Sequence, residues 1–163
     1  MGVTNFDEYR DVFVVADTID DVVHPVTYEL IGQARRIAKE LGQLVQVMLL
    51  GENVQSEAEE LVAHGADIVH VFESPLLKYY TTDGYTKVLT DFFEDHKPNI
   101  LLIGATNNGR DLAPRMSGRM QNGVVADCTI LTVDTTEGLV EWTRPASVSY
   151  THLRAHETGA YLV

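Results

Sequence analysis

Short apolar runs and helical stripes alternate along the chain. Asp11–Ala16 is apolar without alternation, the pattern of a strand covered on both faces in a parallel sheet. Val26, Leu30, Ile31, Ala34, Ile37, Ala38 and Leu41 then recur at three- and four-residue spacing, and Gly42 stands where a left-handed residue closes a helix. Leu44–Leu50 reads as a second strand. Ala58, Leu61 and Val62 mark a short helix closed by Gly65, and Asp67–Phe72 a third strand. The connection Glu73–Tyr80, with Pro75, leads to Thr82, the expected N-cap of a third helix. Val88, Leu89, Phe92 and Phe93 give that helix its buried stripe, and Lys97-Pro98 stops it. Ile100–Gly104 is the most apolar run and the predicted central strand. A fourth helix is expected after the loop Thr106–Gly109, with Pro114 near its first turn. Thr129–Val133 and Leu139–Thr143 flank the turn Asp134–Gly138 and predict an antiparallel hairpin on an otherwise parallel sheet.

Repeated β-α units with short connections imply right-handed crossovers, so the predicted class is α/β: a Rossmann-like, mostly parallel sheet with helices on both faces and a C-terminal antiparallel hairpin. Ligands of such sheets sit beyond the carboxyl ends of the strands. The loop after the first strand, Asp17-Thr18-Ile19-Asp20-Asp21, is acidic and lacks the glycines that let backbone approach a pyrophosphate, so it reads as a solvated acidic loop. The strongest local feature is Gly104-Ala105-Thr106-Asn107-Asn108-Gly109-Arg110-Asp111-Leu112-Ala113-Pro114-Arg115, running from a strand end into a helix start, where free N–H groups favour an anion. Asp111, expected in the first turn, would itself supply that negative charge. A structural or interface loop is therefore favoured over a phosphate site, and the missing Gly-Lys-Ser/Thr excludes a P-loop.

Composition narrows the partners. The 163 residues carry 12 Lys and Arg against 24 Asp and Glu, a net charge of −12, which repels nucleic acid and anionic membranes. No run approaches the roughly 20 apolar residues of a membrane span and the polar start lacks a signal-peptide core, so a cytoplasmic location is expected. The one cysteine, Cys128, excludes an internal disulfide and, without an evident base, reads as a small buried residue. His24, His64, His70 and His96 do not recur at a metal-ligand spacing, and His152 and His156, four apart, fall in the divergent tail. No nucleophile and base pair supports a hydrolase or transferase.

The residues themselves go further than the pattern. Pro25–Arg35, Leu49-Leu50-Gly51, His64-Gly65-Ala66-Asp67, the Gly104–Arg115 string, Ala126-Asp127-Cys128-Thr129 and Thr143-Arg144-Pro145-Ala146 follow the order and approximate spacing of the electron-transfer flavoprotein α subunit. The chain resembles that family over about Asp11 to Ala146. The resemblance implies an N-terminal α/β domain, residues 1–146, that acts as scaffold and binds the β subunit in a heterodimer. It implies that FAD is held by a further α-subunit domain, with none of the main FAD ligands in this chain, and that the β subunit holds AMP or a second FAD. Redox partners would be flavin-dependent dehydrogenases or reductases, including acyl-CoA dehydrogenases, and the chain would be an electron carrier subunit, not itself an enzyme. Gly104, Thr106, Gly109, Arg110, Asp111, Arg115, Asp127 and Arg144 match family motif positions and are expected in hydrogen-bonding, interface or interdomain roles. After Ala146 the likeness stops. Residues 147–163 resemble translated adapter sequence and are expected to be a non-native tail with no fixed structure serving function, of which Leu153, Tyr161, Leu162 and Val163 could still pack on the exposed sheet edge. A nucleotide-binding module of the universal-stress-protein type shares the architecture, but its glycine-rich phosphate loop is not found after Ile103. A hydrolase of the related adenine-nucleotide folds would need a Ser-Gly-Gly-x-Asp-Ser loop, which is also missing.

Overall fold

The computed structural model describes residues 8–134, 139–145, 150–154 and 159–162. The expected alternation of strands and helices is present. The strands β1 (Arg10–Val15), β4 (Val45–Gly51), β5 (Ile68–Glu73) and β6 (Pro98–Ile103) pair in parallel with β7 (Gly123–Val125) and β11 (Gly159–Leu162) in the order β5-β4-β1-β6-β11-β7. Between β1 and β4 lies a two-residue-strand hairpin, β2 (Thr18–Ile19) and β3 (Val22–Val23). The helices are α1 (Pro25–Leu41), α2 (Glu57–His64), α3 (Thr82–His96) and α4 (Asn107–Met120), with a 3-10 turn at Pro75–Leu77.

Strict alternation along β1 builds two cores. Val12 and Val14 pack with Leu30, Ile31, Ala34 and Ile37 of α1 and Leu61 of α2, whereas Phe13 and Val15 pack with Leu89 and Phe93 of α3 and Leu112 and Met116 of α4. Helices thus cover both faces of the sheet, as the unbroken apolar strands require. Gly42 takes φ 66° and donates its N–H to Ala38 O, the close that the sequence predicts for α1. A polar line crosses the sheet inside this apolar frame. The Asp11 carboxylate accepts from Leu44 N (3.0 Å) and Gln46 Nε2 (2.7 Å), and Gln46 Oε1 accepts from His70 Nε2 (2.6 Å).

The C-terminal part departs from expectation in two ways. The hairpin strands β8 (Ile130–Asp134) and β9 (Leu139–Pro145) do pair antiparallel, but they form a separate sheet with β10 (Tyr150–Arg154) and do not extend the parallel one. That sheet packs Leu131, Val140 and fully buried Trp142 onto the α1 side of the core. The short strand β7 follows α4 directly, and three residues were too few to show in the sequence pattern. Within residues 147–163, β10 lies beside β9 and β11 between β6 and β7, so this segment packs on strand edges. The predicted turn residues 135–138 lie outside the described residues.

Two helix starts are also corrected. Thr81, not Thr82, precedes α3, and Thr82 is the first helical residue with its hydroxyl directed elsewhere. α4 begins at Asn107 because the Thr106 hydroxyl accepts from Gly109 N (3.2 Å) and turns the expected loop into the first helical turn. Pro114 therefore sits in the helix interior, and Asp111 lies in the second turn, leaving no acidic residue in the first.

Candidate functional site

The sheet changes direction of growth at β1: β4 and β5 extend it one way, β6 the other. The crevice beyond the carboxyl ends of β1 and β6 is where an open α/β sheet offers a ligand site. Here it is filled. Gly104, Thr106 and Asn108 approach it from β6 and α4, Ala16 and Asp17 from β1, and Tyr80 from the connection before α3; the space left is about 20 Å³, room for one water. Asp17 N donates to Thr27 Oγ1 (3.1 Å), and Asn108 Nδ2 donates to Asp17 Oδ1 (3.3 Å), tying α1, β1 and α4 together. A flavin or nucleotide needs a pocket of roughly 300–1,000 Å³. The residues present do not fit one, and Asp17 would face its phosphates.

The motif residues are drawn into contacts within the chain. Gly109 is buried against the strand end: a Cβ there would lie 1.8 Å from Gly104 O. Arg110 forms an ion pair with Asp127 (2.7 Å) and donates from Nε to Ala105 O (3.2 Å). Asp127 itself holds a left-handed φ of 56°. Asp111 accepts from the Thr82 hydroxyl and from Tyr80 Oη (2.7 Å), and these two hydrogen bonds, Thr82 first, hold its carboxyl below the usual range. Burial, then the Asp111 hydrogen bond, pushes the Tyr80 phenol well above its ordinary value. Arg115 pairs with Asp83 of α3 (2.8 Å). Arg144 lies apart, on β9 opposite Thr151. The string therefore joins β6, α4, the Tyr80–Thr82 segment and the Asp127 turn. Its side chains link α4 to its neighbours, and since the Arg110 and Arg115 pairs are more than half exposed, each contributes little stability.

Sequence reasoning missed three features. His24 caps α1, its Nδ1 accepting from Val26 N (3.2 Å), a role that only the following Pro25 hinted at. His70, read as one of four unconnected histidines, is ringed by Phe13, Phe92 and His96, and burial followed by the proximity of His96 lowers its pKa. The acidic loop after β1 is the β2–β3 hairpin, with Asp20 (φ 51°) and Asp21 (φ 62°) both left-handed. That is the geometry of a type I′ turn, which usually selects Asn-Gly. A second concavity, about 550 Å³, runs between α1 and β8, lined by Val26, Glu29, Gln33 and Arg36 and by Thr129–Thr132. Cys128 is buried. No three His, Cys, Asp or Glu converge among the described residues.

Comparison with known proteins places the string in context. The model of the electron transfer flavoprotein domain matches residues 12–158. The chain belongs to this family. It is 45% identical over 139 residues to the electron transfer flavoprotein subunit alpha of Megasphaera elsdenii, covering 85% of this chain and 41% of that protein. It is 46% identical over 138 residues to the LctC subunit of the lactate dehydrogenase (NAD(+),ferredoxin) of Acetobacterium woodii, covering 85% and 33%. It is 43% identical over 130 residues to the acryloyl-CoA reductase electron transfer subunit beta of Anaerotignum propionicum, covering 80% and 35%. The chain thus spans about a third to two fifths of the length of these relatives. No helix among the described residues is long and apolar enough to cross a membrane.

Proposed function

We propose that this chain is the N-terminal scaffold and β-subunit-binding domain of an electron-transfer flavoprotein α subunit. The observation that carries the reading is the family match over residues 12–158 at a position where the relatives are more than twice as long. In this reading the FAD that carries electrons is bound by α-subunit sequence beyond the matched part, and AMP or a second FAD by the β subunit. The filled switch-point crevice supports it, because an α/β domain whose usual ligand position is packed with Tyr80, Asp17 and Asn108 is suited to bear load. Residues of the chain then act by shape and contact. α4 is fixed to the Tyr80–Thr82 segment and to the Asp127 turn, and the groove between α1 and β8 offers a surface to the β subunit. Flavin-dependent dehydrogenases or reductases, acyl-CoA dehydrogenases among them, are the proposed redox partners, and a cytoplasmic location the proposed setting.

Co-expression with an electron-transfer flavoprotein β subunit, followed by size-exclusion chromatography and absorbance spectroscopy, tests this. A one-to-one complex is expected, and the chain by itself should carry no flavin band. Stoichiometric flavin on the isolated chain, or no association with the β subunit, would overturn the reading.

A further inference from the structure

The amide of Gln46 fixes where His70 carries its proton. Gln46 Nε2 donates to the Asp11 carboxylate (2.7 Å), which can only accept, so Gln46 Oε1 is the atom turned toward His70 Nε2 (2.6 Å). That oxygen requires an N–H, so neutral His70 is protonated on Nε2 and takes a second proton at Nδ1. The same logic holds at the end of α3. His96 Nδ1 lies 2.9 Å from the carbonyl of Phe92, so neutral His96 is protonated on Nδ1 and takes a second proton at Nε2. Both rings can keep these hydrogen bonds when that proton arrives. What changes is their charge.

The two rings are 5.8 Å apart between centroids, and Phe92 touches both, stacked on His96 (3.7 Å) and tilted against His70 (4.7 Å). The elements around His70 offer little to offset a charge. β1 presents the Phe13 ring, β4 presents neutral Gln46 with Asp11 behind it, and α3 presents Phe92 and His96. Asp67, just before β5, accepts from Val45 N (2.8 Å), and Glu73 at its end from Val54 N (2.8 Å) and Gln55 N (3.0 Å). Glu94 and Asp95 are exposed, Lys97 pairs with Glu8, and α2 packs on the opposite face with Val69 and Val71. Two unit charges 5.8 Å apart repel enough, even at the dielectric constant of water, to shift an opening equilibrium about threefold. The ring with the weaker hold gives way. His70 sits on a strand and is held by Gln46, whereas His96 is exposed and ends its helix, followed by Lys97 at a left-handed φ of 39°. Phe93, buried with Leu89, anchors α3 one turn earlier.

We infer that His96 and His70 form a pH-sensitive latch between the end of α3 and the edge strand β5, closed until both rings are charged and then released. On release the His96 ring leaves Phe92, and the helix frays beyond Phe93. Burial first, and His96 second, lower the pKa of His70 in the closed form, so the open form binds the extra proton more readily. The latch is therefore fully closed above about pH 6.5 and opens as pH falls below it.

Hydrogen exchange of the full chain, followed by mass spectrometry from about pH 7.5 to about pH 5.5 and corrected for the intrinsic pH dependence of exchange, reads the latch. Protection of residues 94–97 is expected to fall at least about threefold more in the wild type than in His96→Gln or His70→Gln, each of which puts a neutral amide in place of one ring. Protection of β1 should hold over the same range. Titration of the imidazole Cε1–H signals by NMR is the second measurement: His70 should titrate at a higher pH in His96→Gln than in the wild type. Circular dichroism at neutral pH shows whether each variant is folded, and the wild type with His96→Gln suffices for the test. An unchanged His70 midpoint in His96→Gln, an equal loss of protection in all three proteins, or a loss shared evenly by β1 would overturn the proposal.

Discussion

Replacing Gly109 by alanine sets two forces against each other. Gly109 is the third residue of α4, and helix propensity alone favours alanine over glycine by about 1 kcal/mol. Against this, the new Cβ would lie 1.8 Å from Gly104 O, 3.0 Å from Gly104 C and 3.1 Å from Ile103 Cγ2. The first two are backbone atoms at the end of the central strand, so the helix start or the strand end must move by more than an ångström. Overpacking of this kind costs roughly 1–3 kcal/mol, and a collision with backbone belongs at the upper end. The net expectation is a loss of about 1–2 kcal/mol, or a fall in Tm of roughly 2–8 °C for a chain of this size. Gly118→Ala is the control. It lies on the exposed side of the same helix with nothing within 4 Å of its Cβ position, so propensity acts unopposed and Tm should rise by about 2–4 °C. Thermal unfolding followed by circular dichroism under one buffer compares the three proteins. If Gly109→Ala melts at or above the wild type while Gly118→Ala rises, the close approach of α4 to Gly104 does not constrain this motif.

Other changes separate the remaining roles. Asp111→Asn should loosen the hold on Tyr80 and Thr82, giving faster amide exchange over residues 77–82 with no gain in AMP affinity; tighter AMP binding would restore the anion-site reading of this helix start. Its folded pKa is depressed, so its contribution is present above the unfolded carboxylate pKa and disappears as pH falls through the folded value. His70 also acts on the acid side. Its folded pKa is lowered by burial and by His96, with Asp11 reaching it only through Gln46, so the unfolded chain binds the extra proton and stability should decline as pH falls below about 6.5. Urea titrations across pH 5 to 8 should show a shallower decline in His70→Gln, and an identical slope would remove His70 as its source. We propose that residues 147–163 are appended and not evolved sequence, against a family match that runs on to residue 158; reading the genomic locus past Ala146 tests this directly. Deleting them should leave amide protection of β1 intact while β6 loses the protection given by β11, and collapse of β1 protection would show that the segment supports the whole sheet.

The parts of the fold that were legible in the sequence are those where a period and a terminator coincide. The stripe from Val26 to Leu41 ends on a glycine that does take a left-handed φ, and the apolar runs at 11–16, 44–50, 67–72 and 100–104 agree with strands to within about two residues. Elements fixed by a single side chain were not legible. Asn107-Asn108-Gly109 has turn composition, yet one hydroxyl, Thr106, makes it helical, and that shift moves Asp111 out of the first turn and Pro114 into the interior. The β2–β3 hairpin was hidden because aspartates occupy positions normally held by asparagine and glycine. At the candidate site, the charged residues of the string were recognisable, but Tyr80, Thr82 and Asp83 lie about thirty positions away and meet it only through the packing of α4 beside α3, and Asp127 meets Arg110 only because the chain returns past α4 after β7.

The polar line Asp11–Gln46–His70 bears on how strands this similar find one alignment. Val-Phe-Val-Val, Val-Gln-Val-Met-Leu-Leu and Val-His-Val-Phe are nearly interchangeable apolar tapes, and both faces of each are buried or half-buried, so hydrophobicity alone separates one stagger from the next only weakly. A slide of β5 by one residue would turn His70 to the opposite face, and a slide by two would carry its ring one repeat beyond the Gln46 carbonyl. In either case Gln46, 8% exposed, would keep an unmet acceptor inside the protein. Three polar side chains on three neighbouring strands thus serve as an address written across the sheet, raising the energy of misaligned pairings more than they deepen the correct one.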